Sequence, residues 1–99
     1  MSGSKKERSV IAPLSVPVLA RHAKMRHDSV RERWLILAPE RVLTPDAVAV
    51  AVLRLCDGAR TVEAIARELE QTYNAPKERI LGDILPMLQD LADRGVVTA

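Results

Sequence analysis

The apolar periodicity of this 99-residue chain changes character once, and that change constrains the fold more than any single motif does. From Lys24 to Val30 charged and apolar residues interleave without helical spacing, and after Arg31-Glu32-Arg33 the run Trp34-Leu35-Ile36-Leu37 is apolar at every position. A strand buried on both faces reads that way. The spacing predicts a three-stranded antiparallel meander with Trp34 to Ala38 in the centre, edges at Lys24 to Val30 and Arg41 to Leu43, and Pro39-Glu40 at the second turn. From Thr44 onward apolar residues recur at three and four, so a small sheet precedes a helical trio.

Thr44 is placed to cap the first helix, with Pro45 at the first helical position and Asp46 in the first turn. Val48, Val52 and Leu55 share one face, Ala49, Leu53 and Cys56 lie beside them, and Asp57-Gly58 supplies the stop, so most of this helix is expected to be buried. Thr61 caps a second helix whose core positions are Val62, Ile65, Ala66 and Leu69, with Glu63, Arg67, Glu68 and Glu70 toward water and Tyr73-Asn74 at its end. Pro76 opens a third. Its apolar positions Ile80, Leu81, Ile84, Leu85, Leu88 and Leu91 span a wider arc than one neighbour requires, which leaves part of the arc for a ligand. Pro86 lacks a donor and presses on the Gly82 carbonyl, so a bend is expected between them. Arg94-Gly95 ends the helix, and Val96-Val97 is expected to pack back.

Hydrophobic residues are 47% of the chain but Phe is absent, so one aliphatic core is expected over residues 21–99, with Trp34 as its aromatic anchor. Residues 1–20 carry Pro13 and Pro17 and read as a flexible tail or linker whose Val10, Ile11, Leu14, Val16, Val18 and Leu19 dock weakly at most.

Several functions drop out on composition. A net charge of +2 is too small to announce a nucleic-acid partner, although Arg21, Lys24, Arg26, Arg31, Arg33 and Arg41 cluster, interrupted by Asp28, Glu32 and Glu40. The lone Cys56 permits no internal disulfide and, in register with Ala49 and Leu53, reads as a small core residue. His22 and His27 give no close ligand pair, so no metal is expected. No nucleophile-base set or phosphate loop stands out, so neither catalysis nor a cofactor is expected. No apolar run approaches the roughly 20 residues of a membrane span, and the charged start lacks a signal-type apolar core, so the expected compartment is the cytoplasm. What remains is an unpaired strand edge beside a helix, which can take another chain as an extra strand.

Residues in that order resemble a known family: Arg-His-Asp leading toward Trp34-Leu35-Ile36-Leu37-Ala38-Pro39-Glu40, then Leu43, Leu55-Cys56-Asp57-Gly58 and Thr61-Val62. The sequence is similar to the pyrroloquinoline quinone biosynthesis protein D family over about Arg21 to Val97, most sharply at the Leu-Cys-Asp-Gly segment followed by Thr-Val. That resemblance implies a winged-helix-like domain without catalysis of its own. It implies a peptide chaperone that binds the ribosomal precursor peptide of the quinone and presents it to a radical S-adenosylmethionine enzyme. It also implies that the peptide adds antiparallel to the third strand in the cleft facing the third helix, which here means Arg41, Val42 and Leu43 with Leu81, Ile84, Leu85 and Leu88.

Two other readings compete. A DNA-binding winged helix uses the same trio, but the third helix offers only Lys77, Arg79 and Gln89 scattered around an aliphatic arc. An adaptor that docks on an enzyme without touching a peptide has no sequence mark against it. A monomer is expected, although an unpaired edge also invites strand exchange between copies.

Overall fold

The computed structural model describes residues 10–99. The meander forms as the sequence predicts: β2 (Lys24–Asp28), β3 (Arg33–Ala38) and β4 (Arg41–Leu43), ordered β2-β3-β4 with every pairing antiparallel. Its register sets Met25 and Leu43 on either side of Ile36, and Lys24 and Val42 on either side of Leu37. Three helices follow, α1 (Ala47–Arg54), α2 (Val62–Tyr73) and α3 (Lys77–Asp93). The architecture is thus α+β, a three-stranded antiparallel sheet followed by three helices.

The sheet lies over the helices by one face only, which corrects the expectation of a doubly buried central strand. Ile36 is 1% exposed, whereas Trp34, Leu35, Leu37 and Ala38 are half-buried. Trp34 stays outside the core cluster: its ring meets the His27 ring edge-on at 5.2 Å, and the Arg54 guanidinium lies over it at 5.8 Å. Trp34→Ala is therefore expected to cost more than the about 1–2 kcal/mol of its aromatic pair and cation–π contact alone, because the half-buried ring also loses apolar contact, but less than a core aromatic. Thermal melting checks this, because a buried aromatic anchor would cost roughly 3–5 kcal/mol.

The core is aliphatic and helical: Val52, Val62, Ile65, Ala66, Leu88 and Val96 are fully enclosed. α1 begins later than Thr44-Pro45 suggest, because Asp46 is the cap and its Oδ1 accepts the Ala49 N–H at 2.8 Å. It also ends earlier, at Arg54; Gly58, at a φ of 79°, belongs to the turn beyond. Ala49, Val50, Val52 and Leu53 face inward, whereas Val48 is 42% exposed. Thr61 caps α2 through its hydroxyl, which accepts the Ala64 N–H, and Asn74 closes it in the left-handed region. Lys77 joins α2 to α3, its Nζ donating to Glu63 Oε2 at 2.7 Å. That hydrogen bond, with the lysine charge behind it, holds the Glu63 carboxyl below its ordinary range, so the contribution is present at neutral pH and lost as pH falls through the lowered value. α3 continues as one helix through Pro86.

The expected tail at residues 1–20 divides. Residues 1–9 lie outside the described residues, and the rest is part of the domain. β1 (Val18–Leu19) pairs antiparallel with β5 (Val97–Thr98), Ile11 is buried, and Pro17 is among the fully enclosed residues. The prolines do exclude a helix, yet their carbonyls are useful: the Gly58 N–H donates to Pro17, and the first-turn N–H groups of Val62 and Glu63 donate to Ser15 and Pro13. An extended segment meets the orphan donors of α2 and covers one flank of the core.

Candidate functional site: the β4 edge and the α3 groove

β4 pairs with β3 along one side only, so its other side is the free edge of the sheet. A two-residue connection makes Ala38 and Arg41 a hydrogen-bonded pair, and alternation then makes Leu37 opposite Val42 a non-hydrogen-bonded one. The amide and carbonyl of Val42 therefore point toward the free edge. Its side chain, 60% exposed, stands on the face of the sheet away from the helices, while Leu43 stands on the inner face with Ile36.

Beside that edge lies a hollow of about 300 Å³, with Leu43, Thr44 and Pro45 on one wall, Ala49 at the start of α1, and Met87, Asp90, Leu91 and Arg94 on the other wall. A smaller recess of about 190 Å³ continues past Arg94 to Arg41, His22 and the Pro39-Glu40 turn. In the other direction a hollow of about 320 Å³ opens between Val48, Tyr73 and Ile84. The first hollow is apolar at its floor and charged at its rim, where Arg94 Nε and Asp90 Oδ2 form an ion pair at 3.2 Å. A chain laid along β4 would find main-chain partners on one side and the Met87–Leu91 wall on the other.

The strand half of the expected site is brought together here, and the helix half is not. Arg41, Val42 and Leu43 form the edge. Ile84 is 2% exposed and Leu88 fully enclosed, so both belong to the core, although Ile84 touches the hollow beside Val48. Leu81 and Leu85 are half-buried against that same core. At about 100° per residue they fall on the opposite flank of α3 from Met87 and Leu91, and so away from β4. The residues of α3 and its C-cap that line the hollow beside β4 are Met87, Asp90, Leu91 and Arg94, none of them among the residues expected for the site. Their three-and-four spacing was visible, but α3 carries a second apolar stripe, and spacing alone does not say which stripe faces the sheet.

Among the described residues no cluster of three or more His, Cys, Asp or Glu side chains is arranged to hold a metal ion. Cys56 is 5% exposed, and burial, with the neighbouring Asp57 carboxylate, pushes its thiol up to about 12. In the folded protein at neutral pH it is expected to react with a thiol reagent far more slowly than free cysteine, and at an ordinary rate once denatured. No helix among the described residues is long and apolar enough to cross a membrane.

A meander with one open edge, set against a helical trio with an apolar groove between them, defines a winged-helix-like α+β binding domain. The profile described as Coenzyme PQQ synthesis protein D (PqqD) matches residues 33–97. The chain belongs to the PqqD family. It is 54% identical over 88 residues to the PqqA binding protein of Bradyrhizobium diazoefficiens, covering 89% of this chain and 85% of that one. It is 46% identical over 91 residues to the bifunctional coenzyme PQQ synthesis protein C/D of Methylorubrum extorquens, covering 92% of this chain and 24% of that longer protein. Among solved structures, the fold matches the solution structure of the PqqD truncation of Methylobacterium extorquens PqqCD with a TM-score of 0.79 at 46% identity, over 90% of this chain and 95% of that one. That protein is described as a functional, stand-alone recognition element for ribosomally synthesised and post-translationally modified peptides. The crystal structure of PqqD from Xanthomonas campestris matches with a TM-score of 0.57 at 29% identity, over 90% and 99% of the two chains.

Proposed function

We propose that this protein is a peptide chaperone that takes the precursor peptide PqqA as an extra antiparallel strand on β4 and presents it to a radical S-adenosylmethionine enzyme. The observation that carries this reading is the free edge at Val42 next to Leu43, which lines a hollow whose other wall is Met87 and Leu91, in a chain whose relatives include PqqA binding proteins. Main-chain bonds to Val42 would give affinity tolerant of sequence, and alternate guest side chains entering the hollow at Leu43, Ala49 and Met87 would give selectivity. The protein itself does no chemistry in this scheme; the reaction belongs to the partner. In this reading it works in the cytoplasm as a monomer.

Titration of isotope-labelled protein with synthetic precursor peptide tests this. Amide shifts are expected at Val42, Leu43 and Met87 to Arg94; a response confined to α2 would count against the site. Met87→Glu places a charge in the apolar wall at a half-buried position, so the domain is expected to stay folded while peptide affinity falls about tenfold or more.

A further inference from the structure

We propose that the outward face of the three-stranded sheet is a second docking surface, one that takes an acidic protein partner while the β4 edge holds the peptide. Strand alternation places Leu35, Leu37 and Val42 on that face together with Lys24, Arg26 and Arg33, because Leu37 pairs with Lys24 and Val42, and Leu35 pairs with Arg26. No helix covers it. Ile36, on the opposite face, is 1% exposed, yet Val42 is 60% exposed and Val30, at the tip of the hairpin, 89%. Val30 shares a hollow of about 360 Å³ with Leu35 and Leu37, where Arg26, His27, Asp28 and Ser29 also line it, and Leu37 pairs with Val42, so aliphatic side chains recur among polar ones from the tip to β4.

The charge around this strip is unbalanced. The ion pairs among the described residues are Arg60–Asp57, Lys77–Glu63 and Arg94–Asp90, none of them on this face. Asp28 is the acid that alternation places on this face, its Oδ1 accepting the N–H groups of Val30 and Arg31, and its single charge leaves Lys24, Arg26 and Arg33 in excess. An aliphatic strip beside Lys24, Arg26 and Arg33 complements a surface that sets carboxylates around apolar side chains. A second copy is a poor occupant, since a two-fold contact would bring Lys24 and Arg26 against like charges. The position also has a use, which rests on the peptide reading above. A strand added beside β4 continues this same face, so a partner docked here would touch the guest's outward side chains along with the domain.

The test uses the full chain and the purified radical S-adenosylmethionine enzyme of the quinone pathway as probe, with precursor-peptide titrations run in parallel. Amide spectra verify folding. The Lys24→Glu, Arg26→Glu double variant is expected to weaken enzyme binding by about tenfold or more while leaving peptide affinity within about twofold. Val30→Asp should weaken the enzyme in the same way, and enzyme affinity of the parent should fall as salt rises. Arg67→Glu, exposed on α2, serves as control. Enzyme affinity unmoved by the reversals, an equal loss in the control, or salt-sensitive capture of duplex DNA by this face would each overturn the inference. A parent that holds peptide but no enzyme overturns it and leaves the peptide reading standing. A parent that holds enzyme through this face but no peptide sinks the peptide reading alone.

Discussion

Leu88→Ala is expected to destabilise the domain by about 2–5 kcal/mol, lowering Tm by more than roughly 10 °C, while the fraction that stays folded binds peptide as before. Leu88 is fully enclosed at the centre of α3, between Ile84 and Leu91, with the aliphatics of α1 and α2 around it. Removing three carbons there forfeits their transfer energy and leaves a cavity that a domain of this size cannot easily close. Total stability for such a chain is about 5–15 kcal/mol, so this one change takes a large share of it. The measurement is a melt alongside a peptide titration of the folded variant. Unchanged melting with collapsed peptide affinity would mean that Leu88 lines the groove and not the core.

Val42→Pro has the opposite signature. Its amide points to the free edge and serves no bond within the β3–β4 ladder, so proline there leaves the sheet's own pairing intact. It removes the donor a guest strand needs and puts a ring where that strand would lie. Peptide affinity is expected to fall about tenfold or more, since a lost bond and a steric obstacle act together. Melting should move by no more than about 1 kcal/mol. Calorimetric titration of a folded Val42→Pro protein that still binds at parental strength would exclude capture through this edge. The pair of variants separates what holds the domain together from what it offers to a guest.

The elements were legible in the sequence because their local signals agree. Thr61 with its following apolar periodicity announced α2, and Pro39-Glu40 between apolar runs announced the β3–β4 turn. Two features were not legible for physical reasons. The run Trp34 to Leu37 is apolar on both sides of the strand, and only the position of the helices decides that Ile36 goes inside while Leu35 and Leu37 stay half-wet. Likewise α3 is apolar over so much of its circumference that Leu81 and Leu85 read as well for a groove as Met87 and Leu91. The docking of residues 11–20 depends on partners such as Gln89, whose Oε1 accepts the Ile11 N–H from 78 positions away. No local pattern carries that information.

The β1–β5 pairing has a consequence for how the protein is made. Val18 must wait for Thr98, and the carbonyls of Pro13 and Ser15 wait for α2 to wind. Helices and hairpin can form as they leave the ribosome, since their contacts are near in sequence, but the strap that seals the core cannot fasten until residue 98 has cleared the exit tunnel. During synthesis the flank that Ile11 finally covers therefore stands open to the solvent until α3 and β5 have been made.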